Sequence, residues 1–266
     1  MRDRLMRFFP RGHCRVRLSR DSVSVLRVNG SRKTTPVPVE RPLPVLAVAA
    51  TPDALSASIA AALDEADAAR MAVHATLDDD LVRYFIVTPP ANGARMQDLR
   101  AAAGVRFQML YGEPLSDWHL AADWQCAAPF LACAVSRGLH AALQIAVDAQ
   151  RASLASVTPH FVAAWNRTRH RLGADAWLAT LGEHALTLGL VAGAKKPRLA
   201  AVRTLPLPKA IPSMAWLRDQ LSRAALLDNV AAPSVLHIHG CPPDGWQTDP
   251  ASSADAGLSV QWHSQR

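Results

Sequence analysis

The sequence predicts an α/β protein in two halves, each running strand, strand, strand, helix, strand. Three observations lead there. Short alternating runs with turn residues between them occur twice, at 14–28 and at 176–207, and each set is followed by an amphipathic helical stretch and one more apolar run. Between the sets, Asp117 to Arg171 reads as strand, strand, helix, strand, helix and would pass from one half to the other near Ser153 to Pro159. With 266 residues, half of them hydrophobic and 19% charged, the chain has the means to bury a sizeable core.

Cys14–Arg20 and Ser22–Val28 alternate about Asp21, and Asn29-Gly30 ends the pair, so a hairpin is expected by period and turn chemistry. Ser31 to Pro44 is polar and proline-rich, a loop or an irregular edge strand. Val45 to Ala50 is a short apolar run and a candidate third strand. Thr51-Pro52-Asp53 opens a helix whose inward stripe is Leu55, Ile59, Ala62, Leu63 and Ala66. Asp78-Asp79-Asp80 is an acidic turn, readable as a metal-binding carboxylate set or, more plainly, as a solvated loop.

Leu81–Thr88 is a strand stopped by Pro89-Pro90, and it stands as the fourth strand of the first half. Ala94–Gly104 follows as a helix with Met96, Leu99 and Ala103 inward, and Val105–Tyr111 as a short strand. Trp118–Trp124 and Phe130–Val135 read as neighbouring strands. Arg137–Gln150 is a helix with Leu139, Leu143, Ile145 and Val147 apolar, Leu154–Val157 a strand, and Thr158-Pro159 the start of another helix with proline at its first position. The second half then gives strands at 176–182, 184–193 and 198–207, a helix over 212–227 with Met214, Leu217, Leu221 and Leu226 apolar, a strand at 235–239 and an edge strand near 258–262. This divides the chain into a basic tail (1–13), a first lobe (14–155) and a second lobe (156–266).

The net charge of +7 favours an anionic partner. Arg2, Arg4, Arg7 and Arg11 with Leu5, Met6, Phe8 and Phe9 could lie on acidic lipid as a short amphipathic helix, or form a frayed tail. Arg167, Arg169 and Arg171 make a basic helix end, which could meet an acidic segment or simply answer the helix dipole. Nucleic acid is not the expected partner. The N-terminus lacks the apolar stretch of a signal peptide, and the longest apolar run, Ala127–Val135, is too short to span a bilayer, so a cytoplasmic protein is expected, with the inner face of a membrane as an option. Cys14, Cys126, Cys133 and Cys241 form no C-x-x-C pair, which fits a reducing compartment.

No G-x-S-x-G or G-x-G-x-x-G is present, and Gly189–Lys196 lacks both the spacing and the hydroxyl of a P-loop. His237, His239 and Cys241 alternate on a strand and could offer three metal ligands, with His184 or His160 as a fourth; structural histidines at a strand end are the plainer reading, and no metal is expected.

The double strand-strand-strand-helix-strand layout, with the segment SRGLHAALQIAVDAQRASLASVTPHFVAAWNRTR at its seam, resembles the actin-like ATPase superfamily, a bilobal fold related to ribonuclease H. Within it the pattern is similar to PilM-type pilus assembly proteins and GspL-type secretion cytoplasmic domains, over roughly 14–262. The resemblance implies a phosphate loop in the first hairpin at Ser19 and Ser22, a second at Gly182, and an adenosine motif at Gly240. Each departs from the superfamily's pattern. The first turn has hydroxyls and an acid but no glycine, and the other two keep one glycine apiece. The resemblance therefore implies a scaffold without catalysis and without a cofactor, docking the cytoplasmic tail of an inner-membrane pilus or secretion protein. An ATPase using magnesium-ATP, and a binder of nucleic acid or anionic membrane, are the alternatives.

Overall fold

The computed structural model describes residues 12–29, 37–44, 52–91, 95–173, 175–192, 198–208, 212–243, 246 and 257–263. In chain order the strands and helices are β1 (Gly12–Leu18), β2 (Ser22–Asn29), β3 (Val39–Pro42), α1 (Pro52–Glu65), β4 (Ala72–Leu77), β5 (Val82–Val87), α2 (Met96–Tyr111), β6 (Trp118–Ala122), β7 (Phe130–Ser136), α3 (Arg137–Ala149), β8 (Ser153–Pro159), α4 (His160–Thr168), β9 (Ala176–Leu181), β10 (Ala185–Ala192), β11 (Arg198–Pro206), α5 (Met214–Leu227), β12 (Val235–His239) and β13 (Ser259–His263). They fall into two compact units.

The first unit takes in the chain up to Leu81 together with Ser136–Pro159. Its sheet runs β3-β2-β1-β4-β8, three antiparallel strands followed by two parallel ones. Cys14, Val16 and Leu18 point inward from alternate positions of β1, as do Val73, Ala75 and Leu77 of β4. Leu55, Ile59, Ala62 and Leu63 of α1 and Leu139, Ala142, Leu143 and Val147 of α3 are buried stripes at helical spacing. Each such leucine withdraws about 2 kcal/mol of apolar surface from water.

The second unit takes in Val82–Val135 and His160 onward. Its larger sheet runs β11-β10-β9-β12-β13, again three antiparallel strands followed by two parallel ones. Every residue of β9 is buried, which is the continuous apolar reading of a central strand. A three-stranded sheet, β5-β7-β6, packs α2 over Phe85, Val87, Phe130, Ala132 and Ala134 through Leu99, Ala103 and Phe107.

The duplicated layout expected from the sequence is present, with corrections in detail. The fourth strand of the first sheet is β4, and the expected strand at 81–88 is β5 of the small sheet. Val105–Tyr111 is the second half of α2, which runs on to the left-handed cap at Gly112. Pro159 closes β8, and α4 begins at His160. Ser153–Pro159 is a strand paired with β4 across a register shift at Ala155, and the boundary between the units falls after it, while 82–135, placed in the first lobe by sequence, groups with the second unit. Met96, expected inward, is exposed, as are Ile145 and Leu226 at the expected apolar positions of α3 and α5. The candidate strand Val45–Ala50 lies outside the described residues.

Candidate functional site

Each unit places a turn where the resemblance puts a phosphate loop. In the first, β1 and β2 are joined by Ser19, Arg20 and Asp21. The Ser19 amide donates to the Ser22 carbonyl at 2.9 Å, and the Ser22 amide donates to Ser19 Oγ at 3.0 Å. Ser19 Oγ also lies 3.1 Å from Asp21 Oδ1 and 2.7 Å from Ser22 Oγ. The amides and hydroxyls of Ser19 and Ser22 are therefore turned on each other, and Ser19 is buried. Ser19 and Ser22 are brought together as the sequence implied, but as a closed polar knot rather than an open cradle.

Beside this turn, the Asp78 amide donates to the Leu18 carbonyl at 2.9 Å and extends the β1–β4 pairing. Arg17 donates to both Asp78 carboxylate oxygens, at 2.7 and 3.1 Å. This fork-to-fork pair is the strong geometry for guanidinium and carboxylate, and it occupies the oxygens an ion would need. Arg20 reaches Asp80 at 3.1 Å. Asp78 and Asp79 are 2% and 3% exposed, so the acidic triplet is not the solvated loop that its composition suggests.

In the second unit, the β9–β10 turn is closed by the Gly182 amide donating to the Ala185 carbonyl at 2.9 Å. The Leu207 amide donates to the His184 carbonyl, tying the tip to the end of β11. Gly240 follows β12 with φ of 150°. A methyl group there would lie 2.6 Å from the Leu181 carbonyl oxygen, so close packing of the strand end requires glycine at this position. Its place is against β9, one residue from Gly182.

His237 and His239 share a face of β12, as alternation demands, but Cys241 lies beyond the strand and is exposed. The group that joins the pair is His263, which the sequence reading missed. The parallel register of β12 and β13 sets His239 opposite His263. His237 Nδ1 and His263 Nε2 are 3.0 Å apart, and the His239 and His263 rings stack at 4.8 Å. Thr168 Oγ1 meets His239 Nε2 at 2.7 Å. A 3.0 Å contact between two ring nitrogens needs one donor and one acceptor, so the accepting ring is neutral. Burial pushes His239 down to about 4, reinforced by His263, Arg167, His160 and His237. Burial and His263 lower His237, and burial and Arg171 lower His263. The ligand atoms of His237, His239 and Cys241 do not converge on a common point, and the cluster is a set of neutral, hydrogen-bonded rings.

Arg167 and Arg171 are exposed beside this cluster, while Arg169 is half-buried with a shielded Nε. Arg2, Arg4, Arg7 and Arg11 lie outside the described residues. Cys14 and Cys133 are buried, and burial pushes their thiols up to about 11 and about 12, so neither is a ready nucleophile. Among the described residues, no helix is long and apolar enough to cross a membrane.

No protein-family model matches the sequence, and no curated protein does. Solved structures do match. The chain is similar to a structure of the PilM–PilN type IV pilus biogenesis complex, with a TM-score of 0.62, 15% identity, and coverage of 96% of this chain and 89% of that one. A Bacteroides thetaiotaomicron protein with an actin-like ATPase fold matches at a TM-score of 0.59 and 11% identity, covering 95% and 91%. The cytoplasmic domain of EpsL, an inner membrane component of the Vibrio cholerae type II secretion system, matches at 0.59 and 10%, covering 96% and 90%. Two units with the same five-strand order, matched across nearly their whole length, define this as a protein of the actin-like ATPase fold. The expectation drawn from the sequence is met at the level of fold.

Proposed function

We propose that this chain is a non-catalytic actin-like scaffold of a type IV pilus or type II secretion assembly, and that it binds the cytoplasmic segment of an inner-membrane partner. The reading is supported by likeness to one structure from a PilM–PilN complex and one from an inner-membrane secretion component. The observation that carries the non-catalytic part is the β1–β2 turn. The amides and hydroxyls of Ser19 and Ser22 bond to one another, and Arg17 closes off the Asp78 carboxylate. A phosphate arriving there would have to displace a closed hydrogen-bonded set with no glycine to let the backbone approach.

The test is a thermal shift series with magnesium-ATP, run beside a calorimetric titration with the cytoplasmic tail of the pilus or secretion inner-membrane protein from the same cell. The scaffold reading expects no shift at millimolar nucleotide and micromolar binding of the tail. Stabilisation approaching ~2.7 kcal/mol, the linkage value at a hundredfold excess over the dissociation constant, makes the protein a nucleotide binder instead. Absence of tail binding removes the scaffold reading. Gly240 variants are unsuited to this test, because the clash with Leu181 reports on packing whether or not nucleotide binds.

A further inference from the structure

The first unit carries an open cleft of about 460 Å³ lined by Ala69, Arg70, Ala149, Gln150 and Arg151. It lies where the chain leaves α1 and α3 and enters β4 and β8, whereas the Ser19 turn is at the opposite ends of β1 and β4. The span of β4 puts roughly 20 Å between the two places.

The backbone of the cleft is held in unusual conformations. Helix α3 ends in a Schellman motif, with the Arg151 amide on the Asp148 carbonyl at 2.9 Å and the Ala152 amide on the Val147 carbonyl at 3.1 Å. Arg151 takes the left-handed position at φ 52°. Arg70 is the third residue of an Ala68–Met71 turn, also left-handed, at φ 59°. The Arg70 amide donates to the Gln150 carbonyl at 3.2 Å, which couples the two turns. Glycine or asparagine suits both positions at lower conformational cost, yet both hold arginine.

The electrostatic setting singles out the same pair. Three of the carboxylates close in sequence are already engaged, Asp67 with Arg27, Glu65 with Arg41, and Asp148 with the Gln144 amide, while exposed Asp64 lies one residue before Glu65 on α1. Among the described residues, neither Arg70 nor Arg151 has an ion-pair or side-chain hydrogen-bond partner. Helix C-termini favour a cation nearby, but an arginine in the last helical turn at ordinary φ would answer the dipole without the strain.

We propose that Arg70 and Arg151 form a docking site for a carboxylate-bearing segment of a partner protein. The amides of both residues are engaged in the turns, so no backbone N–H cradle is left for a phosphate. The planar guanidinium fork matches a carboxylate, and Ala69 and Ala149 keep the walls low enough for a peptide main chain to lie close. The site goes beyond the scaffold reading, which fails or stands on a different surface.

The experiment is fluorescence anisotropy of a labelled hexaglutamate peptide titrated with the full chain. The Arg70→Gly/Arg151→Gly double variant is expected to weaken binding at least tenfold while its melting temperature holds or rises, because glycine suits both φ values. A charge-matched control, Arg106→Gln/Arg223→Gln, is expected to change affinity less than twofold. Should the glycine pair lose stability, the Arg70→Gln/Arg151→Gln pair takes its place with the same criterion. Equal weakening in test and control, or no binding by the parent chain, overturns the proposal. Displacement of the peptide by millimolar inorganic phosphate, or arginine-dependent capture by phosphatidylglycerol vesicles in preference to hexaglutamate, overturns the assignment to a protein carboxylate.

Discussion

The two five-stranded sheets share a strand order and solve the same corner in opposite ways. At the end of β4 stands Asp78, whose amide bonds to Leu18 and whose carboxylate is gripped by Arg17. At the matching end of β12 stands Gly240, pressed against the Leu181 carbonyl with no room for a side chain. Both hairpins are closed by the same amide-to-carbonyl bond, Ser19 to Ser22 and Gly182 to Ala185, and serine hydroxyls reinforce the one beside Asp78. Mid-sheet the contrast recurs. Leu26 holds the corresponding place in β2, while Gly189 of β10 makes way for Phe161, whose ring would lie 2.5 Å from an added methyl group. Strand order is set by pattern along the chain, but strand ends are free to be polar and clasped or bare and close-packed. Whatever binds near a strand end meets that local choice and not the topology.

The largest effect expected from this contrast is at the bare corner. Gly240→Val adds a clash with backbone to an unfavourable φ and is expected to cost about 3 kcal/mol or more in urea unfolding. A cost below 1 kcal/mol would mean that β12 and β9 can separate there, and the comparison would fail. At the clasped corner, Arg17→Met leaves the 2%-exposed Asp78 without its partner. The expected loss is about 2 to 3 kcal/mol, at the lower end because the Arg17 side chain is 37% exposed, and Arg17→Met with Asp78→Leu should recover most of it. A neutral single variant would show the pair to be incidental.

Acid should act on the second unit before the first. His239 is held down to about 4, against an unfolded value near 6.5, so the unfolded chain takes up the proton first. Its contribution is complete above 6.5 and is lost as pH falls toward 4. By pH 5 about 2 kcal/mol should have gone, and His239→Gln should flatten the stability profile between pH 7 and 5. A parent profile that is already flat there would mean the rings are solvated. The smallest effect is at the hydroxyl-closed turn, where Ser19→Ala should cost about 1 kcal/mol. A Ser19 variant that gains nucleotide binding would show the knot to be a gate and not a closure.

The sequence displays the second sheet almost whole because its strands are contiguous and punctuated by Gly182 and Pro197. The first sheet is harder to see. Ala72–Leu77 has no glycine or proline before it, since the left-handed residues that redirect the chain are Asp67 and Arg70. The apolar run at 45–50 and the clear strand at 81–88 therefore drew the roles of third and fourth strand. Val105, Phe107 and Tyr111 have β-type side chains, but the i, i+4 spacing of Leu99, Ala103 and Phe107 keeps one helical face on the core past Gly104. In the candidate site, hydroxyls and glycines can be placed by resemblance, but their bonding cannot. That Arg17 closes on Asp78 follows from the parallel pairing of β1 with β4. His263 escaped notice for the same reason, although a second strand ending in histidine was a usable sign.

The small sheet with α2 begins at Val82 and ends at Val135, and those two residues are paired across β5 and β7. The excursion thus leaves and rejoins the chain at one point, but it is not held there alone, because β5 packs along β11 and Tyr84 meets the Phe161 ring edge-on. Changes confined to α2 and β6, on the far side of the small sheet from that contact, leave β5 and the pairing of either five-stranded sheet untouched.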